Sequence, residues 1–142
     1  MKQKRFNHAV LSAAALILPI TAWSADLDLK VENVKGTSGH LRVAVYGSSA
    51  DYRKTPVKAI KAAAVSDPVS IRIAGLEAGD YAIALFHDRN GNEKLDSNLM
   101  GIPTEPYGFS GSTRNLMGPA KWEQARFTVA PEGGTITVRL SD

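Results

Sequence analysis

From Asp26 to Val34 the chain alternates, with Leu27, Leu29 and Val31 on one side and Asp28, Lys30 and Glu32 on the other. A period of two over this length predicts a strand with one buried face. Leu41, Val43 and Val45 repeat the pattern through LRVAVYG, after the turn chemistry of Lys35 to Gly39. Side by side, these two runs read as a hairpin around a short loop. Val69, Ile71 and Ile73 then alternate with Ser70, Arg72 and Ala74, and Gly75 to Asp80 reads as a turn. Arg126 to Ala130 and Thr135 to Leu140 add two more alternating strands around Pro131 to Gly134, while Pro119 to Gln124 reads as a connection.

Two stretches break the rule. Tyr81 to Phe86 (YAIALF) has no polar face, which predicts a central strand covered from both directions. Residues 48–65 carry the alanine and lysine content of a helix, set against Pro56, with Val57, Ile60 and Ala64 at helical spacing. That segment is expected to cross the fold with a turn or two of helix; a charged edge strand is the competing assignment. The pattern as a whole predicts an all-β protein, an antiparallel β-sandwich of about seven strands with room for one short helix.

Composition changes this picture at the N-terminus. Lys2, Lys4 and Arg5 precede an apolar run from Ala9 to Ile20, and Ala22-Trp23-Ser24 supplies small residues before a cleavage point. The expectation is a signal peptide over residues 1–24 and a single domain over 25–142, periplasmic or secreted, with no stable membrane span after cleavage. The 142-residue chain has 17 Lys and Arg against 14 Asp and Glu, so removing the leader's three basic residues leaves 14 of each. A balanced mature chain offers no surplus positive field for phosphates, which argues against nucleic acid as a partner. The absence of cysteine excludes disulfides, thiolate metal sites and cysteine catalysis.

The candidate chemistry lies in His87 to Ser110, HDRNGNEKLDSNLMGIPTEPYGFS. Taking Asp88 as position 1 of an EF-hand-like loop places Asn90, Asn92 and Asp96 at positions 3, 5 and 9, an alternation that turns oxygens inward around a hard cation. Glycine falls at position 4 (Gly91), Glu93 at 6, and Leu99 stands where a bidentate glutamate belongs. Asp88, Asn90, Asn92 and Asp96 are therefore candidate Ca2+ ligands of a weak site, with Asn98 and Glu105 as further loop ligands. The bland alternative is a long loop whose Asp and Asn side chains bond their own backbone.

His87 reads as a ligand, as a base, or as a histidine satisfied by hydrogen bonds. Tyr107 and Phe109, with Trp122 behind them, either line a ligand groove or fold the loop's tail onto the sandwich. Ser110 and Ser112 lie near His87 in sequence, but neither sits in a nucleophile elbow and no third group orients the histidine.

The run GDYAIALFHDRNGNEKLDSNLMGIPTEPYGFS resembles the domain-of-unknown-function 2141 family, exported bacterial proteins with a loop of the form HDxNxNxxLDxNxxGxPxExYGFS. It departs from the family's usual pattern at Glu93, where glycine is common, and at Gly111, where asparagine is. The resemblance implies an exported β-sandwich similar to transthyretin-like or carboxypeptidase-regulatory-like domains, within the transthyretin-like or Ig-like fold class expected from the pattern, and brings no assigned activity. The leading expectation is a non-catalytic module whose loop, braced by Ca2+, presents an aromatic-rimmed surface to a protein or glycan partner. The rivals are a hydrolase-type enzyme using His87 with Asp88 or Glu105, and a loop that is purely a structural cap.

Overall fold

The computed structural model describes residues 24–111 and 118–141. The expected leader therefore lies outside the described residues, apart from Ser24, and so does Ser112. Eight strands and one short helix follow in order: β1 (Ser24–Glu32), β2 (His40–Tyr46), β3 (Lys58–Ala63), β4 (Val69–Glu77), β5 (Gly79–Asp88), β6 (Tyr107–Phe109), α1 (Trp122–Ala125), β7 (Arg126–Val129) and β8 (Gly134–Arg139). They form a three-stranded sheet in the order β4-β1-β8 and a five-stranded sheet in the order β3-β2-β5-β6, with β7 also paired to β5.

The alternating residues do what their period dictates. Leu27, Leu29 and Val31 of β1, Ile71 and Ile73 of β4 and Val138 of β8 bury one face of the first sheet. Leu41, Val43 and Val45 of β2, with Ile83 and Leu85 of β5, bury the facing side of the second. Each fully buried aliphatic side chain of this kind contributes about 1.5–3 kcal/mol of burial.

Six of the eight strands follow from the pattern of apolar positions, β3 and β6 do not, and neither does the pairing. β1 and β2 are not a hairpin: β1 pairs antiparallel with β4 and parallel with β8, while β2 pairs with β3 and β5. Two strands with one apolar face each bury it equally well across a core or within one sheet, so periodicity cannot separate the cases. The crossing is eased by Asn33, Gly36 and Gly39, all at positive φ. Gly39 is required as well by close approach, since a Cβ there would collide with the carbonyl oxygen of Asp88. The β1–β8 pair also makes the first sheet mixed and not purely antiparallel.

The segment 48–65 is the second correction. It forms turns and then the edge strand β3, antiparallel to β2, and holds no helix. Only one of its faces meets the core, through Ile60 and Ala62, so alternation prevails over alanine's helical preference. The one short helix among the described residues is α1, in the stretch read as a connection.

β5 is central, with β2 on one edge and β6 and β7 end to end on the other. The expected cover from both directions is incomplete: the described residues cover its outward face only in part. Ala82 is fully buried in a small cluster with Ala120 and Ala125, whereas Ala84 and Phe86 are half-buried.

Candidate functional site

The oxygen-rich loop leaves β5 at Asp88, and two carboxylates build it. Asp88 is fully buried on the outward side of β5. Its Oδ1 accepts the Gly91 N–H at 2.8 Å, and its Oδ2 accepts the Glu93 N–H at 3.1 Å and Arg42 Nε–H at 3.2 Å. Burial alone would raise its pKa, but the Glu93, Arg42 and Gly91 donors together outweigh it and hold the carboxyl below its ordinary value. Glu105, also buried, spans the loop's two legs: Oε1 accepts the Arg89 N–H at 2.9 Å and Oε2 the Asp96 N–H at 3.1 Å.

The remaining predicted ligands are tied to one another. Asn90 and Asn92 direct their side-chain amides at Asp96, at 2.6 and 2.9 Å, while their oxygens accept N–H groups two residues further on. Asn98 Oδ1 accepts from Met100 and Ile102, closing a small turn whose Leu99 and Met100 stand exposed. Asn90, Asn92 and Asp96 thus come together, while Asp88, Glu105 and Asn98 each serve backbone donors elsewhere in the loop. Among the described residues no group of three or more His, Asp or Glu side chains is placed to hold a metal ion.

Arg42 was not visible as a site residue. It lies on the outward face of β2, across from Phe86 and diagonal to Asp88, and bonds Glu93 Oε1 at 2.6 Å as well as Asp88. No sequence motif marks such a partner, because strand register alone creates it. Glu93 itself has φ 68, the left-handed region that favours glycine.

His87 and Asp88 do not form a catalytic pair. Successive residues of a strand point to opposite faces, so Asp88 turns outward under the loop while His87 turns inward. His87 is fully buried, with Nε2 at 2.7 Å from the Ser38 carbonyl oxygen. A carbonyl only accepts, so Nε2 carries the hydrogen; Nδ1 is the one buried side-chain nitrogen or oxygen without a hydrogen-bond partner among the described residues. Ser110 is likewise structural: its hydroxyl accepts the Ile83 N–H at 2.7 Å and donates to the Ala125 carbonyl at 2.5 Å, where β6 gives way to β7 along β5.

The loop's apolar residues define a second feature. Leu95, Ile102 and Pro103 form one wall of a hollow of about 770 Å³ over the outward face of the five-stranded sheet. Its floor is small because register places Ala59 opposite Ala44, Ala44 opposite Ala84 and Ala84 opposite Phe109. The next row runs Lys61, Arg42, Phe86, Tyr107. Tyr107 and Phe109 pack edge to face, ring centroids 5.9 Å apart, and both line the hollow. Trp122 instead packs on Tyr52, which packs on Tyr46.

The sequence did carry a signal for this hollow: YAIALF has no polar face, and a two-layer fold leaves such a strand one side short of cover. No solved structure matches the chain significantly. A family model does match, over residues 29–137, and it spans both sheets, the loop and the floor of the hollow. The chain belongs to DUF2141, a family described as an uncharacterized protein conserved in bacteria.

Proposed function

We propose that this protein is an exported, non-catalytic binding module whose site is the hollow on the outward face of the five-stranded sheet. The observation that carries the reading is the uncovered half of β5, where Ala84 and Phe86 stay half-buried above an alanine floor. A hollow of about 770 Å³ falls within the usual size of small-molecule sites, which are mostly apolar with a few polar groups. Its aliphatic wall suits a small apolar molecule better than a glycan, whose hydroxyls need donors and acceptors. The hydrogen-bonded loop then acts as scaffolding that stands Leu95, Ile102 and Pro103 beside the floor. Export rests on the pattern of residues 1–24, and intact mass of the extracytoplasmic protein should show a start at Ala25 or Asp26.

The test is to fill the floor. Ala84→Phe should abolish binding of 1-dodecanol in a calorimetric titration while leaving the melting curve close to that of the parent. Undiminished binding in the filled variant would remove the hollow from consideration.

The same loop supports a second reading, a weak Ca2+ site at Asp88, Asn90, Asn92 and Asp96. What favours it is the convergence of both asparagine side chains on the two oxygens of Asp96. A cation there has to displace two amide donors and turn two amides about, so affinity should be at the weak end, on the order of 10⁻⁴–10⁻³ M. Millimolar CaCl2 should raise the melting temperature of chelator-treated protein by several degrees, and Asp96→Asn should reduce that rise. A curve that calcium does not move leaves the self-bonded loop as the whole account.

A further inference from the structure

Building on the proposed binding site, we infer that its ligand is an amphiphile with an anionic headgroup, such as a long-chain carboxylate, seated with its tail on the alanine floor. The charged side chains that line the hollow are Arg42, Arg53 and Lys61, and no carboxylate among the described residues lines it. Arg42 is already engaged by Asp88 and Glu93. Arg53 and Lys61 form no ion pair with a described residue, so two cations at the rim are uncompensated. Their positions are fixed from opposite directions. Lys61 is held by β3, directly across from Arg42. Arg53 sits in the turn before β3 at φ 59, beside Tyr46 and Tyr52, whose hydroxyls burial pushes up and the Arg53 charge draws back down.

An apolar floor bounded by Leu95, Ile102, Tyr107 and Phe109, with two cations on the β3 side, has the polarity of an anionic amphiphile and not of a neutral or cationic one. A neutral tail gains only the floor. A carboxylate head adds attraction to Lys61 and Arg53 across a rim of intermediate dielectric, and this part weakens with salt.

The experiment compares three ligands of equal chain length below their micellar concentrations: dodecanoate, 1-dodecanol and dodecyltrimethylammonium. Dodecanoate should bind about fivefold to tenfold more tightly than dodecanol, the return expected of one or two partly exposed ion pairs. The ammonium should bind more weakly than either. The double variant Arg53→Gln, Lys61→Gln should bring dodecanoate to the level of dodecanol while leaving dodecanol unchanged, and raised salt should do the same. Equal binding of dodecanoate and dodecanol by the parent overturns the anionic headgroup and leaves the apolar site standing. Preference for the ammonium overturns it as well. Binding of none of the three overturns both the headgroup and the site.

Discussion

The two sheets share one core and present opposite outer faces. On β1, β4 and β8 the outward positions are Asp28, Lys30, Arg72, Thr135, Thr137 and Arg139, a charged and hydroxylated surface with Arg72 paired to Asp26 at 2.5 Å. On β2, β3 and β5 the corresponding positions hold Ala44, Ala59, Ala84 and Phe86 in the middle, with Arg42, Lys61 and Asp88 beside them. The first face is finished by water. Among the described residues the second is finished only in part, by α1 at Ala82 and by the loop at Asp88, with an open hollow between them. An outward face whose middle is apolar and left partly uncovered by the described residues is what the proposed binding role accounts for.

Placing one aspartate at three depths tests this contrast, and the largest effect comes first. Ile83→Asp puts a charge into the shared apolar core, where the described residues offer it no cationic partner, and should abolish folding. Ala84→Asp, one residue on, should leave a folded protein whose dodecanoate binding is lost, because the floor is half open. Thr137→Asp on the polar face should change neither the melting temperature nor binding. Circular dichroism melts and titrations on all three variants check the series; equal behaviour of the last two would erase the distinction between the faces.

Acid separates the two faces by their ion pairs. Asp26 is lowered chiefly by its hydrogen bond with Arg72, and its side chain is 40% exposed; the Asp88 side chain is 0% exposed and carries three donors. Asp88 titrates below its unfolded value, so its contribution is complete above about pH 4 and is lost as pH falls through the lowered folded value. Urea midpoints measured from pH 5 to pH 2 should fall steeply for the parent and less steeply for Asp88→Asn. Salt at 0.5 M should leave this slope largely intact, because the buried carboxylate is screened much less than the Asp26–Arg72 pair. A slope unaffected by Asp88→Asn would mean that the loop is not anchored through this carboxylate.

Much of the fold was legible because burial imposes a period of two on a strand, and Leu27 to Val31 or Val69 to Ile73 obey it. Pairing was not, since the same period serves a hairpin and a crossing between sheets. β3 was half legible: Ile60 and Ala62 mark a strand, but lysine and alanine mark a helix equally well. In the loop, the residues that matter were visible by type. Their roles were not, because an inward carboxylate looks alike in sequence whether it meets a cation or, as with Asp88 and Glu105 here, backbone N–H groups. Arg42, Lys61 and Arg53 escaped notice for a plainer reason: isolated basic residues become a rim only after β2 and β3 are paired.

The smallest effect expected lies at Glu93, where two influences oppose each other. Its φ of 68 is costly for any residue with a Cβ, and glycine removes that cost. Its side chain is 66% exposed and pairs with Arg42 at 2.6 Å, an interaction that surface exposure keeps small. Relief of the backbone should outweigh loss of the pair, so Glu93→Gly should raise the melting temperature by about 3 °C. Glu93→Gln keeps the positive φ and gives up the charge, so it should lower the midpoint slightly. If Glu93→Gly instead lowers it by several degrees, the pair with Arg42 holds the loop over the sheet more firmly than its exposure implies. In that case the hollow's loop wall depends on a contact that glycine cannot make, and dodecanol binding should weaken along with stability.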